Sequence, residues 1–254
     1  MQGVSALTDA GNTAEFRSCG GSLYIHQVGW GALSDQDKRQ IAANFAATGP
    51  VHVEVAEPTD LNAEFLRFGI SAVSVVNVNA PSCDVPAVDD SVSDWTRWAA
   101  RFKQANAGVR YSQYNDTPNC PNGALDWRAA TWNDSRERAL RGGGVVLDAP
   151  PSLYERVLGD RFNYRRFVRD QIAWANARGL HSTVIISALA GNYDFVGDTK
   201  AMVAEFNALP ANERPQEYAC ENYGAGAPIG SEKDTGSVAN LALWLVRNAS
   251  TYRP

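Results

Sequence analysis

VHVEVAE, residues 51–57, is the stretch on which the reading of this chain turns. Val51, Val53 and Val55 alternate with His52 and Glu54, the period of two expected of a strand with one apolar and one polar face. Six further runs lie before and after it: SLYIHQ (22–27), AVSVVNVN (72–79), VRYSQYND (109–116), GVVLDA (144–149), STVIISA (182–188) and EYACENY (217–223). Nearly all of them end in polar or acidic residues that an ordinary core strand would not carry.

The stretches between these runs read as helices. Ser34 followed by Asp-Gln-Asp is a helix start, and IAANFAATG then carries apolar residues at helical spacing as far as Gly49 and Pro50. Similar helices are expected near 60–68, 93–106, 126–140, 162–178, 198–208 and 237–248. Strand and helix in alternation predict an α/β fold with a parallel sheet wrapped by helices, a TIM-like (β/α) barrel of seven clear βα units. An eighth strand is either the weak segment Val4 to Thr8 or missing, leaving the barrel incomplete. No Pro/Gly/Ser-rich linker divides residues 1–254, so one catalytic domain is expected. VGWGALS (28–34) lacks the GxGxxG spacing of a dinucleotide turn.

Composition narrows the function classes. A hydrophobic fraction of 44% can fill a core, and a net charge of −5 offers no basic stripe for nucleic acid. No apolar run reaches the ~18 residues a membrane span requires. Cys19, Cys83, Cys120 and Cys220 have neither CxxC pairing nor zinc spacing, so two disulfides are expected, Cys83 with Cys120 and Cys19 with Cys220, among three possible connectivities. Oxidised cysteines imply a secreted or periplasmic protein whose signal peptide has been removed. Sequons at Asn115, Asn133 and Asn248 are compatible with export.

In a parallel barrel the chemistry sits at the C-terminal strand ends, and alternation selects which side chains reach it. It places Asp148 in one row with Val146, and Glu217, Ala219 and Glu221 in another, with Glu217 lower and Glu221 near the mouth. Desolvating a carboxylate there costs several kcal/mol without compensation, which marks Asp148 and Glu221 as candidate catalytic acids, with Glu54 and Asp116 in reserve. Two carboxylates roughly 5 to 9 Å apart would suit hydrolysis of a glycosidic bond, one as acid and the other as base or nucleophile. Trp30, Tyr114, Tyr154, Tyr193 and Tyr223 could stack on sugar rings, while Asn79, Asn115, Asn192 and Asn222 bond hydroxyls. Trp95, Trp98, Trp127 and Trp132 fall at helical spacing and are read as packing residues.

In this layout, and in the segments VVLDAPP and EYACENYG, the chain resembles the secreted (β/α)-barrel glycoside hydrolases. The resemblance implies a cofactor-free hydrolase acting on a polysaccharide or oligosaccharide, with Glu221 matching the acid that ends the seventh strand in the best-known clan. The Asn-Glu pair of that clan's fourth strand is absent, since here the strand ends Tyr114-Asn115-Asp116. His26, His52 and Glu54 suggest a barrel phosphodiesterase as the alternative. A carbohydrate-binding barrel without catalysis and a polysaccharide lyase are further readings.

Overall fold

The computed structural model describes residues 4–26, 32–46, 48, 51–55, 70–75, 104, 110–115, 141–148, 157–158, 162–188, 194–222 and 228–253. The chain opens with two short helices, α1 (Val4–Thr8) and α2 (Ala14–Ser18), joined by a 3-10 turn at Ala10–Thr13. The expectation of a strand at Val4–Thr8 is thereby corrected: the segment VSALT closes a single helical turn and takes no place in the sheet.

Strand β1 (Tyr24–His26), helix α3 (Asp35–Phe45) and strands β2 (Val51–Val55), β3 (Ile70–Val75), β4 (Arg110–Asn115) and β5 (Gly144–Asp148) follow. A small antiparallel pair, β6 (Val157–Leu158) and β7 (Phe162–Asn163), leads into α4 (Tyr164–Asn176). Then come β8 (His181–Ala188), α5 (Phe195–Ala208), β9 (Glu217–Asn222) and α6 (Val238–Asn248). All seven apolar runs of the sequence form strands of one sheet, in the order β1-β2-β3-β4-β5-β8-β9, and every neighbouring pair is parallel. The fold is therefore α/β with a parallel sheet. The helices expected at 60–68, 93–106 and 126–140 fall almost wholly outside the described residues.

Local chemistry explains the helices that are described. The Ser34 hydroxyl accepts from Asp37 N–H at 3.1 Å, and Asp35 and Asp37 set negative charge against the positive end of α3. Ser237 caps α6 in the same way through Asn240 N–H at 3.0 Å, and Asp194 caps α5 through Gly197 N–H at 2.9 Å. On α4 the apolar residues Val168, Ile172 and Ala175 recur at helical spacing and are all fully buried.

The two faces of the sheet carry different cores. Val145, Leu147, Val184 and Ile186, with Tyr218 and Cys220, point toward the helices and pack against Val168, Ile172, Phe206 and Leu241. Each such aliphatic side chain contributes about 1.5–3 kcal/mol by leaving water. Val146, Ile185 and Ala219 turn the other way, with Tyr24, into a second and smaller cluster on the inner face. Alternation along each strand makes this division, so each residue's face follows from its register.

One buried acid ties the ends of the chain together. Glu232 is 4% exposed, and its two oxygens accept from the backbone N–H groups of Glu15 and Phe16 at 2.9 and 2.8 Å. A carboxylate in that position caps α2 and clamps the segment before α6 onto the N-terminal helices.

Candidate functional site

The register places the titratable residues of the inner face at two levels. Arg110, His181 and Glu217 each open a strand, β4, β8 and β9 respectively, and together form the lower level at the N-terminal strand ends. The Glu217 Oε2 atom accepts from Arg110 Nη2 at 3.0 Å, from Thr183 Oγ1 at 3.1 Å, and lies 2.9 Å from His181 Nε2. Burial alone would raise the Glu217 carboxyl, but the His181 hydrogen bond and the Arg110 charge outweigh it and hold the group at about 2. His52 belongs to the same level, 2% exposed, with its ring 4.5 Å from that of Tyr24. Burial pulls its pKa down to about 3, and the positive charge of Arg110 acts in the same direction against the attraction of Glu217. Neither ring nitrogen of His52 has a hydrogen-bond partner among the described residues.

Asp148 and Glu221 form the upper level, at the C-terminal ends of β5 and β9, on the face shared with Val146 and Ala219. Both are half-buried, and each interacts with a neighbour. Asp148 stands opposite Ile185 on β8, while Glu221 stands opposite Ser187, two residues further along. Two strand spacings of ~4.8 Å and two residue rises of ~3.3 Å put their Cα atoms roughly 12 Å apart before any curvature of the sheet. His26 and Glu54, at the same end of β1 and β2, are backbone partners in the register. The backbones of Tyr114 and Asn115 lie at the end of β4, and that of Asn222 ends β9. Trp30, Asn79, Asp116, Tyr193 and Tyr223 fall outside the described residues, as do Tyr154 and Asn192.

Two expectations are corrected by this geometry. His52, expected to touch substrate, lies in the lower level and is packed from solvent, because it is the second residue of its strand and not the last. Cys19 and Cys220 do not form a disulfide: both are free thiols. Cys19 is exposed at the C-terminus of α2, whereas Cys220 alternates onto the helix-facing side of β9, where burial pushes its thiol up to about 12. Cys83 and Cys120 fall outside the described residues, so of the two cross-links on which the expectation of export drew, one is absent.

Sequence reasoning placed Glu217 low in its strand but passed over its partners Arg110, His181 and Thr183. The available signal was alternation, since all four fall on the inward count of their own strands.

No protein-family model matches the chain, and no curated protein does. Among solved structures it is similar to dihydropteroate synthase from Thermus thermophilus in complex with 6HMPPP, with a TM-score of 0.42 and 15% identity over 92% of this chain and 86% of that one. It is similar also to 7,8-dihydropteroate synthase from Vibrio fischeri ES114, with a TM-score of 0.42 and 10% identity over 93% of this chain and 84% of that one. A third likeness is to alanine racemase from Streptomyces coelicolor A3(2), with a TM-score of 0.35 and 13% identity over 94% of this chain and 62% of that one.

These enzymes are not glycosidases, and the expectation of a glycoside hydrolase acting on polysaccharide is corrected accordingly. The phosphodiesterase and carbohydrate-binding alternatives gain no support from them either. At these TM-scores the likenesses assign no activity of their own to the chain.

Proposed function

We propose that this chain is an enzyme on a (β/α)-barrel scaffold that moves protons on a small polar molecule at the C-terminal ends of its parallel strands. Asp148 and Glu221 are the exchanging pair. The observation that carries the reading is that both carboxylates stand on one face of the sheet, at the ends of strands separated only by β8. Parallel α/β sheets place their chemistry at that end, because side chains from several strands converge there while the helices hold the backbone fixed. Closure into a barrel is supported by the approach of the two edge strands, since Cα atoms of β1 and β9 come within 8 Å.

A gap of roughly 12 Å between the Cα atoms leaves room for one small molecule between the carboxyl groups. Each acid can then act on its own side of it, one giving a proton and the other taking one. The inner apolar cluster of Val146, Ile185 and Ala219 forms a floor beneath them and separates them from the Glu217 network. His26 and Glu54 occupy the same strand ends on β1 and β2.

The test is a turnover screen of the purified chain against small polar metabolites, read by mass spectrometry, followed by comparison with Asp148→Asn and Glu221→Gln. Each substitution keeps the size of the side chain and removes its proton chemistry, so turnover falls by at least ~10²-fold. Undiminished turnover in both variants would remove the assignment.

A further inference from the structure

We propose that the open seam between β1 and β9 is a binding site for an amphipathic small molecule, an apolar chain or ring system that carries one carboxylate. Among the described residues β1 is hydrogen-bonded only to β2, and β9 only to β8, so the two edges come close without pairing there. Between them lies a cavity of about 510 Å³, bounded on its outer side by α1, α2, α3 and α6. Its size falls within the range of sites that take cofactors and drug-sized ligands. The cavity stands where a further strand would close the sheet, and the segment that could have supplied one, Val4–Thr8, is wound into helix α1.

The walls state what the occupant must be. Leu23, Ile41, Phe45 and Leu245 are buried core residues that turn one side of their packing into this space, and Val246 at the opening is 41% exposed. Apolar side chains make up the larger part of the wall, with polar groups such as Ser22, Gln216 and Thr251 interspersed. The body of the ligand is therefore apolar.

Of the hydroxyl-bearing residues in the lining, Thr13 and Tyr218 carry buried hydroxyls without a partner among the described residues. Thr13 is 3% exposed, and its Oγ1 has no hydrogen-bond partner among the described residues. The Tyr218 hydroxyl is buried and unpartnered in the same sense, and burial raises its pKa. A buried hydroxyl left without a partner costs free energy that an oxygen atom on a ligand would recover.

Charge orients the occupant. Arg253 is exposed and is the cation among the described residues that line the cavity. On the sheet side stand Glu217, already paired with Arg110, and Glu221, and no lining residue described there is a cation that would compete with Arg253. A carboxylate thus faces Arg253, and the apolar body runs inward over Leu23 and Ile41. The site touches the candidate active centre only at Glu221, and Thr13, Arg253 and the α6 wall play no part in the proposed proton transfer. Its occupancy can be measured without any turnover.

The experiment is a calorimetric titration of the folded chain with decanoate, with decanol and decylamine as the comparison probes, supported by thermal melts. Saturable one-to-one binding of decanoate with a rising melting temperature is expected, since a ligand that binds only the folded state stabilises it. Decanol and decylamine should bind at least tenfold more weakly. Arg253→Glu, at an exposed position that leaves folding intact, should weaken decanoate about tenfold. Thr13→Val, of similar shape, should weaken it several-fold. Ala242→Phe, on the α6 wall, should fill the space and abolish binding while leaving the circular dichroism spectrum unchanged. Absence of saturable binding by all three probes overturns the site. Equal binding of decanol and decanoate, or of decanoate to wild type and Arg253→Glu, overturns the carboxylate.

Discussion

Glu217 gathers three donors on one oxygen, and that arrangement sets how the molecule responds to acid. Its pKa lies at about 2 in the fold against an ordinary 4.5, so its contribution is fully present above 4.5 and is lost as pH falls toward 2. His52 acts sooner. At about 3 in the fold against an ordinary 6.5, it stays neutral where the unfolded chain already takes up a proton, so stability declines as pH drops below 6.5. Urea melts at a series of pH values should therefore show the first loss between about pH 7 and 5, before any carboxylate of the Glu217 type protonates in either state. In His52→Phe that first loss should vanish, and stability at pH 5 should rise by about 1 kcal/mol as two unpartnered nitrogens are removed. An identical pH profile in the two proteins would rule the explanation out. These side chains were only partly legible in the sequence. Alternation gave the inward orientation of His52 and Glu217, but whether an inward side chain meets solvent, substrate or an arginine depends on its height in the strand and on strands far away in the chain.

Among the elements, β5 and β8 show how close the backbone must come for the Glu217 network to form. Gly144 opens β5 directly opposite His181, and a Cβ atom at that position would run into the His181 carbonyl oxygen and lie 2.7 Å from the His181 Cβ. Backbone cannot yield as a flexible side chain does. Gly144→Ala should thus part the two strands, lift His181 from Glu217 and cost about 1–3 kcal/mol or more, measurable as a lower urea midpoint with an unchanged slope. A midpoint equal to wild type would show that the strands have slack. The sequence located β5 and β8 within a residue or so at each end, because buried parallel strands are short β-branched runs with polar ends. It missed the nature of Val4–Thr8 for the opposite reason: five residues of mixed character hold too little periodicity to choose between strand and helix, and packing against α3 decides.

Across the whole molecule, protection is unevenly distributed. β5 and β8 lie between other strands and beneath α4, with Val145, Val146, Leu147, Val184, Ile185 and Ile186 at zero or near-zero exposure, whereas β1 has three residues and, among the described residues, one bonded neighbour. Amide hydrogen exchange should be slowest in β5 and β8 and faster by at least ~10²-fold in β1, and decanoate should slow exchange at the β1 and β9 edges if the seam binds it. Uniform protection of all seven strands would mean that the seam is paired in solution. Strand–helix alternation, the face on which each strand residue lies and the concentration of acids at strand ends were all written in the chain, because each is a local matter of period and composition. That Arg110, His181 and Thr183 converge on Glu217, that Cys19 and Cys220 stay apart and that a cavity remains between β1 and β9 emerged only on folding. Those are relations between residues distant in the chain, set by register and packing, which no local pattern records.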